Sequence, residues 1–170
     1  LYINFTIIGQ DAKVPPQPEE KGATFLDILN IKDSARWNEL IKDLPGAHAL
    51  QTWQWGQTKS KFGWEPYPLL WYGDEGNAKA AALVLQRTVA LGGFGMRLKV
   101  MYTPRGPLLD WSDNGLLSRV LDELQDFAKE QGAIFIKIDP DLPAGLGIPG
   151  EADARDHPVG RAVQKALRTR

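Results

Sequence analysis

Three short stretches of this chain hold the side chains best suited to chemistry. Leu50 to Lys59 carries Trp53, Trp55 and Lys59, with Phe62 and Trp64 just beyond; Tyr102 to Asp110 contains a Pro104-Arg105-Gly106-Pro107 turn; Ile136 to Pro140 places Lys137 and Asp139 two residues apart. An ammonium set among indoles can hold a phosphate while the rings wall a sugar or a base. A guanidinium in a turn bounded by prolines is kept in one place for a planar acid. A carboxylate at the end of a strand emerges where the sheet ends and a cleft usually begins.

Each has a simpler account that the residues alone leave open. The Lys59 methylenes can lie along Trp55 or Phe62 with the charge in water. Arg105 can pair with Asp110 across its turn, and Asp139 can pair with Lys137 or start a turn. The basic end of the chain, Arg161, Lys165, Arg168 and Arg170, reads as ordinary helix C-terminal charge, with transfer-RNA binding as the other account.

Other chemistries find little support. His48 and His157 are the only histidines, no cysteine is present and no Gly-x-Ser-x-Gly elbow occurs, which argues against a Ser-His-Asp hydrolase, a cysteine nucleophile and a transition-metal site. Both histidines read as surface residues or caps. Gly92-Gly93-Phe94-Gly95 lacks the Lys-Ser/Thr of a phosphate loop and reads as a plain loop.

With 170 residues, 43% hydrophobic and 24% charged, the chain can bury one core, and its net charge of -1 argues against unspecific adhesion to nucleic acid or acidic lipid. The longest strongly apolar run, Ala80 to Leu85, is far short of the ~20 residues that span a bilayer. No signal peptide is evident, and the missing initiator methionine and the end at Arg170 lead to the expectation of a fragment.

Residues 1–30 read as an extension or linker, poorly packed, because Pro15, Pro16 and Pro18 stand among charges; residues 31–170 read as one domain. Helices are expected from Ser34 to Leu44, over about 51–62, from a cap among Ser112, Asp113 and Asn114 to Gly132, and from Pro158 onward. The second would place Trp55, Lys59 and Phe62 on one face. Strands are expected over Trp64 to Tyr72, Lys79 to Ala90, Leu98 to Tyr102 and Ala133 to Ile138, the last central and buried on both faces. The result is an α+β domain with a mixed, mostly antiparallel sheet flanked by helices.

The aromatic helix, the hairpin, the Pro-Arg-Gly-Pro turn, the amphipathic helix and the strand ending in Asp-Pro resemble, in residues 45 to 170, the first half of FemABX peptidoglycan-bridge aminoacyltransferases. That resemblance implies a domain like the Gcn5-related acyltransferases (GNAT-like), with the second such domain absent from these residues. The Arg/Gln-x-x-Gly-x-Gly/Ala turn of acetyl-CoA-binding relatives is missing, so no cofactor is expected. The family pattern gives Lys59 to the precursor diphosphate, with Trp55, Trp64 and Arg105 as further substrate-binding residues. It also gives Asp139 a place facing the precursor peptide, as a substrate-binding residue and candidate catalytic base.

The activity implied is transfer of an amino acid from aminoacyl-tRNA to the stem amine of a cell-wall precursor, a UDP-muramyl-pentapeptide or its lipid-linked form. The tRNA would be held through the missing second domain. A cytoplasmic protein follows, working against the inner face of the plasma membrane if the acceptor is lipid-linked. Two other readings stand beside it: an N-acyltransferase acting on a polysaccharide or another amine, and a noncatalytic interaction module presenting Trp53, Trp55 and Trp64.

Overall fold

The computed structural model describes residues 5–8, 26–28, 34–90, 97–148 and 151–168. In chain order its elements are β1 (Phe5–Ile8), β2 (Leu26–Ile28), α1 (Ser34–Ile41), a 3-10 turn (Ala49–Gln51), α2 (Trp53–Ser60), β3 (Glu65–Tyr72), β4 (Ala78–Ala90), β5 (Arg97–Pro104), α3 (Asn114–Glu130), β6 (Ala133–Asp139), β7 (Gly145–Leu146), β8 (Arg155–Asp156) and α4 (Pro158–Arg168). One six-stranded sheet runs in the order β1-β6-β5-β4-β3-β2, and β7 with β8 makes a small ribbon. Every pair in the large sheet is antiparallel except β5 with β6. Parallel strands need a long crossover, and α3 supplies it.

Strand alternation divides the interior into two cores. On one face Ala80, Ala82 and Val84 of β4, Met101 of β5, and Ile136 and Ile138 of β6 pack against α3 and against Val163 and Leu167 of α4. On the other, Ala81, Leu83 and Leu85 meet Trp37 and Ile41 of α1 and Trp53 of α2. The strand buried on both faces is therefore β4, whose residues Ala80 to Gln86 are all buried.

The expectation that Ala133 to Ile138 would be central and doubly buried is corrected. β6 lies one strand from the edge, and Ile134 is 40% exposed while Ile136 and Ile138 are sealed. Isoleucine content marked a strand but could not tell how many of its faces would be covered.

The helices form where periodicity and caps coincide. In α3, Leu117, Val120, Leu121, Leu124, Phe127 and Ala128 are buried at helical spacing, and the Asp113 carboxylate accepts from the Leu116 N–H at 3.0 Å. Burying each large aliphatic side chain there contributes roughly 2 kcal/mol. Gly132, at φ 71°, turns the chain out of the helix into β6. The expected hairpin loop is present between β3 and β4, closed by the Gly73 N–H donating to the Asn77 carbonyl.

α1 stops at Ile41, three residues earlier than periodicity suggested, and Leu44 is buried from the following turn. Within the expected linker, Phe5–Ile8 pairs with β6 and Leu26–Ile28 with β3, so these segments extend the two edges of the sheet. The prolines at 15, 16 and 18, and the Gly92 to Gly95 loop, lie outside the described residues.

Candidate functional site

α2 rests on the second face of the sheet, and its approach is set by Gly56. A Cβ at that position would stand 3.2 Å from Pro66 Cβ and 3.5 Å from Leu83, so glycine lets the helix sit close. Trp53 faces inward at 6% exposure, whereas Trp55 is half-buried and carries the Lys59 ammonium 4.9 Å from its ring centre. The helix ends at Ser60, short of the expected 62. Phe62 therefore falls in the turn, 66% exposed, and only Trp55 of the two expected rings frames Lys59.

The turn leads straight into a second cation on a ring. The Trp64 N–H donates to the Lys59 carbonyl at 3.2 Å, and the Arg87 guanidinium lies 5.7 Å from the Trp64 ring centre. Glu65 is in register with Gln86, which brings the residues on either side, Trp64 and Arg87, opposite each other. Trp64 thus serves as a platform for an arginine that sequence reasoning passed over.

Farther across the sheet, Leu85 pairs with Tyr102 and Tyr102 with Lys137. Because Met101, Ile136 and Ile138 point into the first core, alternation turns Tyr102, Lys137 and Asp139 to the face that carries α2. There the Tyr102 hydroxyl donates to Oδ2 of Asp139 at 2.7 Å, and the backbone N–H of Arg105 donates to Oδ1 at 2.7 Å. The Lys137 ammonium stands 5.6 Å from the Tyr102 ring centre.

Burial first, then the hydrogen bond to Asp139 and the charge of that carboxylate, push the Tyr102 phenol well above its usual range, opposed weakly by Arg105. It stays a donor at any physiological pH. Asp139 keeps further lone pairs for an incoming N–H, since a carboxylate can accept about four.

Arg105 has φ 51°, the left-handed region that arginine seldom occupies. That conformation aims its N–H at Asp139 and lets its guanidinium reach Asp141 at 3.2 Å. Asp110, the partner considered from sequence, accepts from the N–H and hydroxyl of Ser112, and these bonds hold its carboxyl below the usual range. Arg105 also borders a hollow of about 380 Å³ walled by Pro107, Trp111, Asp141, Leu142 and His157. Lys59, Trp55, Trp64 and Asp139 are not among its lining residues, so Arg105 stands where two regions adjoin.

The turn itself is fixed by a residue the sequence did not flag. Gln51, fully buried, donates through Nε2 to the Pro104 carbonyl, accepts through Oε1 from the Leu83 N–H at 2.7 Å, and accepts at its own carbonyl from the Trp37 indole at 2.8 Å. A Cβ on Gly106 would come within 2.8 Å of the Gln51 amide, so the turn presses against it. The histidines are caps: Nδ1 of His48 accepts from Leu50 N–H, and Nδ1 of His157 from Gly160 N–H.

The structure brings Lys59, Trp55, Trp64 and Asp139, all singled out from sequence, to one side of the sheet, with Arg105 in the turn after β5. Sequence reasoning missed Tyr102, Arg87 and Gln51, whose roles depend on strand register and on contacts distant in sequence. Trp53, offered as part of a partner surface, is interior, which removes one of the three residues of that reading.

Known proteins resemble this chain in sequence and in fold. The model of the FemAB family matches residues 34–154. A lipid II:glycine glycyltransferase of Staphylococcus haemolyticus (strain JCSC1435) is 32% identical over 123 residues, covering 72% of this chain and 28% of that protein. One of the same description from Staphylococcus saprophyticus subsp. saprophyticus is 30% identical over 122 residues, covering 72% and 28% respectively. A solved structure described as the crystal structure of FemX superposes with a TM-score of 0.62 at 25% identity, over 84% of this chain and 31% of that one. The chain spans little more than a quarter of the length of these curated relatives. The aromatic helix with its lysine, the Pro-Arg-Gly-Pro turn and the Asp-Pro strand end all fall within the matched segment, and the chain belongs to the FemAB family.

Proposed function

We propose that this chain is the acceptor-binding part of an aminoacyltransferase that passes an amino acid from aminoacyl-tRNA to the stem-peptide amine of a peptidoglycan precursor. The observation that carries the reading is the pairing, on one sheet face, of a lysine stacked on Trp55 with an aspartate held by Tyr102 and Arg105. The lysine and its ring suit a diphosphate bonded to a sugar. The aspartate, fixed by two donors and with acceptor capacity to spare, suits the amine that attacks.

Amide formation from an aminoacyl ester needs a nucleophilic amine, the ester and donors for the developing oxyanion. The ester is already activated, so the chemistry calls for no metal or organic cofactor. Asp139 would accept a hydrogen bond from the amine and orient it, and Tyr102 would hold the carboxylate still. The donor, aminoacyl-tRNA, would be bound by a second domain of similar GNAT-like layout. The description of the relatives as lipid II transferases favours a lipid-linked acceptor at the inner face of the membrane. Among the described residues, no helix is long and apolar enough to cross a membrane.

Calorimetry with UDP-muramyl-pentapeptide tests the reading. The chain is expected to bind it, and Lys59→Ala to weaken binding by about 1.5 to 3 kcal/mol, the worth of a hydrogen bond to a charged group. Unchanged affinity in that variant would overturn the site.

A further inference from the structure

Two cations on this face stand on neighbouring indoles joined by one backbone turn. Lys59 lies over Trp55 and Arg87 over Trp64, while the Trp64 N–H is bonded to the Lys59 carbonyl. We propose that Arg87 is the second arm of a diphosphate clamp whose first arm is Lys59, an inference that rests on the function proposed above.

First, a guanidinium stacked on a ring keeps its N–H edges turned outward in the ring's plane, and those edges match two phosphate oxygens at once, which an ammonium cannot do. Lys59 contributes a point charge and Arg87 a planar fork. Second, the position is firm: Arg87 lies within β4, paired with Val100 of β5, one residue beyond the Gln86 that pairs with β3. The Trp64 side chain packs against the second core, so the platform is locked as well.

Third, a further cation stands on this side, where the Asp139 carboxylate is already held by Tyr102 and the Arg105 N–H. Lys137 stands on Tyr102, one strand beyond, while Glu65, beside Trp64, reaches across the sheet to Gln86 and by alternation faces away from α2. A dianion on this side would meet three cations, Lys59, Arg87 and Lys137. The shared chemistry is a sugar-linked diphosphate diester, whether its other end is a nucleoside or a polyprenyl chain.

The test is titration of the 170-residue chain and its Arg87→Gln, Lys59→Gln and double variants with UDP-muramyl-pentapeptide, and with a short-chain lipid-linked precursor in detergent. Glutamine keeps the stem over Trp64 and removes the charge. Arg87→Gln is expected to weaken both ligands about 10-fold with an unchanged melting temperature. The double variant should lose less than the product of the single losses, because two arms of one clamp share a ligand group. Lys165→Gln, on α4, should bind as the parent does.

Loss with the nucleotide-linked ligand alone would assign the clamp to that form, and loss with the lipid-linked ligand alone to the other. Unaltered affinity in Arg87→Gln with weakened Lys59→Gln would overturn the second arm and leave the proposed function standing. Fully multiplicative losses would overturn the shared clamp. Unaltered affinity in both would remove the site on which it rests.

Discussion

The Tyr102 hydroxyl meets Oδ2 of Asp139 at 2.7 Å across the parallel pair β5 and β6, a contact made possible by a register that sets Tyr102 beside Lys137 and Pro104 beside Asp139. One phenol thereby immobilises the carboxylate from the side, while the Arg105 N–H holds it from the turn.

Removing that phenol should separate orientation from binding. Tyr102→Phe keeps the ring under Lys137 and loses only the hydroxyl, so on the proposed function precursor affinity should hold while aminoacyl transfer falls. Its stability should drop by about 1 to 2 kcal/mol, the worth of a partly buried hydrogen bond to a charged acceptor. Urea unfolding of parent and variant measures the difference.

The same pair sets a pH window. The folded phenol titrates above its unfolded value of about 10, so its contribution is complete below that pH and is lost as pH rises through the folded value. The stability gap between parent and Tyr102→Phe should be constant from pH 7 to 9 and close at higher pH. A gap that closed on acidification instead would contradict the assignment.

Asp139→Asn preserves shape while removing the charge. Precursor binding should change little, and transfer should fall by about 10² to 10⁴ if the carboxylate takes the amine proton and less if it only orients it. Single-turnover rates of the proposed transfer distinguish these outcomes.

Gln51 offers a test far from the chemistry. Gln51→Leu would leave the buried Leu83 N–H and Pro104 carbonyl without their side-chain partner, at a cost of about 2 to 4 kcal/mol. The Trp37 indole bonds to the main-chain carbonyl of the same residue and keeps its partner, so the loss is confined to the two side-chain bonds. Gly106→Ala should act in the same direction by about 1 to 3 kcal/mol, because its methyl would press on the Gln51 amide. Chemical denaturation reads both.

Much of this was legible where the determining neighbours are close in sequence. The apolar repeat from Leu117 to Ala128 gives α3 with its buried face, and the two-residue spacing of Lys137 and Asp139 gives their common side of β6. Lys59 over Trp55 follows from an i, i+4 spacing on α2. Gln51 was not legible, because its partners at 37, 83 and 104 are joined to it only by folding. Tyr102 and Arg87 needed strand register, which apolar content does not supply. Phe62 was misplaced because α2 ends before its aromatic pattern does.

The left-handed backbone at Arg105 carries a final consequence. Glycine would adopt that conformation without the roughly 1 kcal/mol penalty that a Cβ incurs, and the half-exposed bridge to Asp141 offers little in compensation. Arg105→Gly should therefore fold about as well as the parent. What the arginine supplies is reach rather than rigidity: a cationic arm carried at some expense to the scaffold, standing between Asp139 and the neighbouring recess.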